Sequence, residues 1–249
     1  MSSISIVMTA YKRHNLLRNT LASIRTQTRK PDQIVVVEDG NDGGFTQSYC
    51  IEAKNYGLPV EYVCRKNRPN LGYSNPAIPK NIGIQKATGD ILIIQCAEVA
   101  YTKDTDIENL VRPVEQDPTV SSFALVKALN EDGSFHQWYA GPDRAPLWFL
   151  DFCQAVRREA VVNIGGFNQD YISYGYDDDC FAFRLQAAGI KYQWAQDVVC
   201  HHQWHEINEK DVKLCDFGKQ LLAQTIFEIE NKKRGPEVNV GKNWGDINS

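Results

Sequence analysis

Two runs of consecutive aliphatic residues, Ile34-Val35-Val36-Val37 and Ile91-Leu92-Ile93-Ile94, constrain this chain more than any other feature. A strand whose neighbouring side chains point to opposite faces can be apolar at every position only if both faces are covered. Each run is short, so a strand suits it better than a helix. Between and around the runs lie segments with helical spacing. His14–Gln27 places Leu16, Leu17, Leu21 and Ile24 on one face, and Phe45–Tyr56 and Ser74–Ala87 are also predicted helices. Pro76 and Pro79 predict a late or irregular start for the third of these. With strands at Ile4–Thr9, Gln33–Glu38, Pro59–Cys64 and Asp90–Gln95, the first half alternates strand and helix. That order predicts an α/β fold with a Rossmann-like, mostly parallel sheet flanked by helices.

The second half is less regular. Asp106–Gln116 and Asp179–Ala188 are predicted helices, and Val120–Val126, Ser134–Tyr139, Tyr192–Trp194 and Val198–Cys200 are predicted strands. Gly141–Phe152 is rich in Gly, Pro and aromatic residues and is expected to form a loop facing an acceptor. Glu209–Lys233 carries Leu214, Phe217, Leu221, Leu222, Ile226 and Ile229 at amphipathic spacing, so a C-terminal amphipathic helix is expected, ended by Gly235-Pro236. At 249 residues a single domain over 1–235 is expected. It divides into a first half (1–100), a second half (101–208) and the helix (209–235), followed by a loose polar tail (236–249).

A net charge of −4 gives no electrostatic case for a nucleic-acid partner. The seven scattered cysteines form no CxxC pair and read as small buried hydrophobes in a reducing compartment. No stretch approaches the roughly 18–20 apolar residues of a membrane span. The N-terminal apolar run is too short for a signal peptide, so a cytoplasmic location is expected.

In a parallel sheet, ligands bind at the carboxyl ends of the strands. Here those ends carry Thr9-Ala10-Tyr11, Glu38-Asp39-Gly40 and Cys96-Ala97-Glu98. There is no Walker A and no GxGxxG motif. An acidic crevice remains, suited to accepting hydrogen bonds from a ribose or base, or to holding a hard cation against a diphosphate. Asp177-Asp178-Asp179 forms a second cluster at a predicted helix start, where the helix dipole favours carboxylates. One of the three is then available as a general base. Three of the five histidines lie in His201-His202-Gln203-Trp204-His205, a density that points to a metal or phosphate contact. Plainer roles exist for the same residues: Asp39 as a turn former, the aspartates as helix caps, Trp138, Trp148 and Phe149 as packing aromatics.

Taken in order, these segments resemble glycosyltransferase family 2, inverting enzymes with the GT-A fold. The match runs through Ser5–Arg13, Leu21–Gln27, Ile34–Gly40, Lys80–Asp90, Asn163–Asn168 and Asp177–Leu185. The resemblance implies transfer of a sugar from a nucleoside diphosphate sugar to an acceptor hydroxyl of a glycan or glycoside. Thr9, Ala10, Tyr11, Arg13, Glu38, Asp39 and Lys80 would contact the donor nucleotide. Gly165, Gly166, Asp177 and Trp148 would line the sugar or acceptor site. Counting six residues back from Arg184 places the family's catalytic base on Asp178. The family's Asp-x-Asp metal motif is replaced by Cys96-Ala97-Glu98, so Glu98 with His205, and His202 as a further ligand, would hold Mn²⁺ or Mg²⁺. The missing aspartate keeps open a non-catalytic nucleotide- or glycan-binding protein. A nucleotidyltransferase is the other alternative, although no glycine-rich basic loop follows the first strand.

Overall fold

The computed structural model describes residues 1–40, 42–65, 75–141, 152–172, 175–206 and 215–247. The first four strands, β1 (Ile4–Ala10), β2 (Gln33–Asp39), β3 (Val60–Arg65) and β4 (Ile91–Cys96), pair in parallel in the order β3-β2-β1-β4. They alternate with α1 (His14–Arg25), α2 (Phe45–Asn55) and α3 (Ala77–Lys86). The third helix begins after Pro76, as the two prolines require.

The aliphatic runs are explained by what covers each face. Ile34 and Val36 pack in one cluster with Leu17, Leu21 and Ile24 of α1 and with Cys50 and Ala53 of α2. Val35 and Val37 face the other way, onto Ile82 of α3. The same alternation splits β4: Ile91 and Ile93 join the first cluster, while Leu92 and Ile94 meet Val7 and Ile84 on the α3 side. Gly83 makes the close fit of α3 possible. A methyl group at its Cα would lie 2.4 Å from Val7 Cγ1.

Beyond β4 the sheet becomes mixed. β5 (Val99–Tyr101), β6 (Val120–Leu129), β7 (Phe135–Ala140), β8 (Cys153–Arg157) and β9 (Lys191–His202) extend the order as β4-β8-β6-β9-β5, with β7 pairing the end of β6. β8 runs antiparallel to both β4 and β6, and β6 and β9 are parallel. Helices α4 (Asp106–Gln116), α5 (Arg158–Asn163), α6 (Asp177–Ala187) and α7 (Cys215–Glu230) complete the described elements. The fold class is thus α/β as expected, with the parallel ladder confined to the first half and to the β6–β9 pair.

Three differences from the sequence expectation have local causes. The two short strands at 192–194 and 198–200 are one strand, β9; its partner β6 jumps from Ala195 to Val199, so the polar Gln196-Asp197 pair lies in a bulge. β8 carries Gln154, which breaks the apolar pattern yet is buried because its amide donates to Ser121 Oγ at 2.7 Å. β5 and α5, at three and six residues, are too short to leave a period.

The tail is not loose over its described part. Val238 N–H donates to Ile164 O at 3.1 Å, and the buried Asn239 amide donates to Gly165 O and Phe167 O, both at 2.8 Å. Trp244 packs against the α3-side core. Arg184 of α6, fully buried, gathers the same region: Nη2 donates to Ile164 O and Gly166 O at 2.7 Å, and Nε to Pro236 O at 2.8 Å. Burial pushes its guanidinium down to about 10, still charged at neutral pH. No helix among the described residues is long and apolar enough to cross a membrane.

Replacing Arg184 with Leu leaves the buried Gly166 carbonyl without its donor and takes one of two donors from Ile164 O and the guanidinium from Pro236 O. Urea unfolding of Arg184→Leu is expected to show a loss of about 1–3 kcal/mol, the cost of one buried unsatisfied group. A loss under about 0.5 kcal/mol would show that the 164–166 turn and the tail are held by other contacts.

Candidate active site

The strand ends converge as the parallel order requires. In the ladder, Thr9 lies between Val37 and Cys96, Ala10 lies beside Glu38, and Asp39 lies beside Arg65. The turn leaving β1 then passes through Lys12, a non-glycine residue in left-handed backbone (φ 54), before Arg13 precedes α1. Such backbone costs of order 1–3 kcal/mol and clusters at ligand sites. Tyr11 and Arg13 are half-buried along this turn.

Glu38 and Asp39 have different tasks. Glu38 is buried, and both of its oxygens are engaged: Oε1 accepts the Asp42 N–H at 2.7 Å and Oε2 accepts the Tyr62 hydroxyl. Burial raises its pKa, opposed by those two hydrogen bonds. This carboxylate shapes the turn after β2. Asp39 stands at the strand end with Arg65 Nη1 donating to its Oδ1 at 3.0 Å, both side chains almost fully buried. Arg65 was not anticipated, although a basic residue closing a strand beside an acidic strand end was a readable signal.

The third strand end builds a different kind of site. The turn from β4 to β5 carries Glu98, and β9 returns beside β5 so that Val99 pairs with His202. Glu98 Oε1 lies 3.7 Å from His202 Nε2 and 3.6 Å from His205 Nε2. The three possible ligand atoms lie within 4.8 Å of one another. Cys96 is outside this group. His202 packs edge-on against the stacked rings of Tyr139 and Phe152, at centroid distances of 4.8 and 5.5 Å, and burial pushes its pKa down to about 4. Burial alone would raise Glu98; the hydrogen bond to His205 and the charges of His202, His205 and Arg13 outweigh it and hold the carboxyl below its ordinary value. At neutral pH the pair is therefore a carboxylate facing a neutral imidazole, the protonation state a cation needs in its ligands. His205 Nδ1 lies 2.9 Å from Glu206 O. That carbonyl, within hydrogen-bond distance of Nδ1, fixes the ring so that Nε2 faces Glu98, as an outer-shell acceptor orients a ligating histidine. His201, one residue earlier, is half-buried and outside the cluster.

The acidic triplet occupies the first turn of α6. Gly175 and Tyr176 both take left-handed backbone (φ 81 and 65), turning the chain into the helix. Asp177 is buried, accepting from Asn75 Nδ2 at 3.1 Å and from Lys80 Nζ at 3.3 Å. Lys80 also lies over the Phe167 ring at 4.5 Å. Lys80 and Asp177, assigned separately to nucleotide and acceptor, are thus brought together as a buried ion pair between α3 and α6. Asp178 is half-buried, its Oδ1 accepting the Asp179 N–H at 3.0 Å.

Gly165 and Gly166 form a tight turn. Both take positive φ (78 and 68), and added methyl groups would lie 2.1 Å from Val238 O and 2.4 Å from Asn81 Oδ1. Their carbonyls are held by Asn239 and Arg184. The turn packs against the tail and α3. Trp148, and with it residues 142–151 of the expected acceptor loop, lies outside the described residues.

The comparisons with known proteins agree with this geometry. The family model described as glycosyl transferase family 2 matches residues 5–187. The uncharacterized glycosyltransferase YfnE of Bacillus subtilis is 23% identical over 270 residues, covering 84% of this chain and 66% of that protein. The validoxylamine A glucosyltransferase of Streptomyces hygroscopicus subsp. limoneus is 22% identical, covering 92% of this chain and 60% of that protein. The chain therefore spans about two thirds or less of the length of these relatives. Among solved structures, a mannosyltransferase from Pyrobaculum calidifontis in complex with GDP-Man and Mn²⁺ superposes with a TM-score of 0.64 at 19% identity, covering 93% of this chain and 64% of that one. TarS 1-349 of S. aureus in complex with UDP-GlcNAc gives 0.67 at 12% identity, over 90% of this chain and 66% of that one. These likenesses show the GT-A fold. With its parallel ladder, its acidic strand ends and a family match across most of its length, the chain belongs to glycosyl transferase family 2.

Proposed function

We propose that the protein transfers a sugar from a nucleoside diphosphate sugar to a hydroxyl of a glycan or glycoside, with inversion at the anomeric carbon. The Glu98–His202–His205 cluster carries this reading. It supplies, at the carboxyl edge of the sheet, a ligand set for a divalent cation although the Asp-x-Asp aspartate is absent. One carboxylate and two imidazoles fit Mn²⁺ better than Mg²⁺, which prefers an all-oxygen shell. Once bound, such an ion would neutralise negative charge on a diphosphate leaving group. The mannosyltransferase neighbour, solved with GDP-Man and Mn²⁺, supports the same pairing of donor and metal.

The protein's own residues divide the remaining work. Asp39, fixed by Arg65, and the Thr9–Arg13 turn would hold the nucleoside, with Thr9, Ala10, Tyr11 and Arg13 supplying the contacts. Asp178 is the general base: it would take the proton from the acceptor hydroxyl as the oxygen attacks the anomeric carbon and the bond to the diphosphate breaks. The Lys80–Asp177 ion pair would fix the first turn of α6 and so the reach of Asp178. The first half of the chain would thus bind the donor and the second half the acceptor. An intact base position beside an intact ligand cluster favours an enzyme over a binding protein that has lost its chemistry.

The reading is tested by thermal shift and turnover across nucleoside diphosphates and their sugars, with and without Mn²⁺. One nucleotide is expected to stabilise the protein, more so with Mn²⁺, and Glu98→Ala is expected to remove the Mn²⁺ increment. Asp178→Asn is expected to lower transfer by about 10²–10⁴-fold, the usual worth of a positioned base, while leaving nucleotide stabilisation intact. Wild-type turnover in Asp178→Asn would place the base elsewhere.

The buried His202 gives a second check, on metal-free protein. An unfolded histidine titrates near about 6.5, whereas His202 is pushed down to about 4. Between those values the unfolded chain binds the extra proton, so stability present above the unfolded value is lost as pH falls through this window. The loss from His202 reaches about 3 kcal/mol by pH 4, at about 1.36 kcal/mol per pH unit. Unfolding of His202→Phe in EDTA is expected to depend less on pH between 6.5 and 4 than unfolding of wild type. Equal slopes would mean that His202 is protonated in the folded state without cost.

A further inference from the structure

Gln203 lies between the two histidines of the cluster and is bonded unlike either. Its backbone N–H donates to Glu98 O at 3.0 Å. Its side-chain Nε2 lies 3.1 Å from Glu98 O, 3.1 Å from Leu16 O and 3.2 Å from Thr20 Oγ1. Its Oε1 accepts from Asn19 Nδ2 at 2.8 Å. Thr20 completes the circuit by donating its hydroxyl to Ala97 O at 2.7 Å. One amide therefore joins three separate pieces of chain: helix α1 through Leu16, Asn19 and Thr20, the β4–β5 turn through Ala97 and Glu98, and the segment after β9 that carries His205.

Each connection bears on the geometry of the cluster. Glu98 comes from one turn and the imidazoles from another strand end, and among the described residues β5–β9 pairing and this amide tie the two together. The backbone of Glu98 is held to residue 203 twice, by main chain and by side chain. Helix α1 begins immediately after the Thr9–Arg13 turn, so the same amide ties the metal ligands to the segment assigned to the nucleotide. A carboxamide is the right group for this position, because Nε2 faces three acceptors and Oε1 faces a donor.

We propose that Gln203 is a positioning residue for the metal centre, setting Glu98 against His202 and His205 and coupling that centre to α1. The inference rests on the assignment of Glu98, His202 and His205 as metal ligands. It assigns Gln203 no contact with substrate or metal.

The test is Mn²⁺ binding itself, read by electron paramagnetic resonance and calorimetry on wild type, Glu98→Ala, Gln203→Glu, Gln203→Ala and Asn19→Ala. Gln203→Glu keeps size and shape but turns a carboxylate oxygen toward three acceptors. It is expected to weaken Mn²⁺ binding by about 10-fold, at the lower end of what second-shell changes cost, and to broaden the resonance as ligand geometry loosens. Gln203→Ala is expected to weaken binding similarly, and Asn19→Ala, at an exposed residue, less but in the same direction. Thermal melting of each metal-free variant reports whether it has folded; if Gln203→Glu has not, Gln203→Ala and Asn19→Ala carry the test. Wild-type Mn²⁺ affinity in the folded Gln203 variants, with binding lost in Glu98→Ala, would overturn the role of Gln203 and leave the metal centre standing. No Mn²⁺ uptake by wild type would overturn the metal assignment and this inference with it.

Discussion

The parallel ladder β3-β2-β1-β4, covered on both faces, is the constraint on which the rest depends. Parallel strands cannot be joined by tight turns, so each must be followed by a helix that crosses back over the sheet. That requirement places every strand-to-helix turn on one edge. The Thr9–Arg13 turn, the Glu38-Asp39 pair and the β4–β5 turn meet there because the backbone has no other way to run. Burial of both faces in turn requires aliphatic residues at successive positions, which is why β2 and β4 are written as they are.

The site divides by how much order its chemistry needs. Away from Glu98, charges are neutralised within the protein: Asp39 against Arg65, and Asp177 against Lys80, with Asn75 donating to the same carboxylate. Buried ion pairs of this kind add little net stability, but losing one partner strands the other in a medium that cannot solvate it. Each pair therefore fixes a backbone segment: the end of β2 in one case, the head of α6 in the other. The Glu98 cluster is different. Its carboxylate faces imidazoles of which at least His202 is held neutral by burial among aromatic rings, so His202 does not balance its charge.

How much of this was legible in the sequence follows from the range of each signal. The first-half strands and helices were readable because their apolar periods are local and long. The meeting of Glu98 with the histidines was readable from residue type and order, since few other uses exist for a carboxylate at a strand end and clustered histidines. The partners of Glu38 were not legible because nothing local shows that Tyr62 and the 42 N–H take both of its oxygens. The packing of Gly165 and Gly166 was hidden for a similar reason: their neighbours, Val238 and Asn81, are far away in sequence. Lys80 and Asp177 are 97 residues apart, and no local pattern announces that they meet.

The packing of the tail has a consequence for the order in which the molecule can be completed. The carbonyls of Ile164, Gly165 and Phe167 take part of their hydrogen bonding from Val238 and Asn239, and the guanidinium of Arg184 is satisfied in part by Pro236. During synthesis the parallel ladder has all its strands once β4 has emerged, and it is built from neighbouring segments. The turn ahead of α6 must wait for residues some seventy positions later. Until then Arg184 has one fewer acceptor, Ile164 O one fewer donor, and Gly165 O lacks the Asn239 amide, so the segment from this turn through α6 is the last to acquire its final shape. A nascent chain would hold a finished parallel ladder before the head of α6 was fixed.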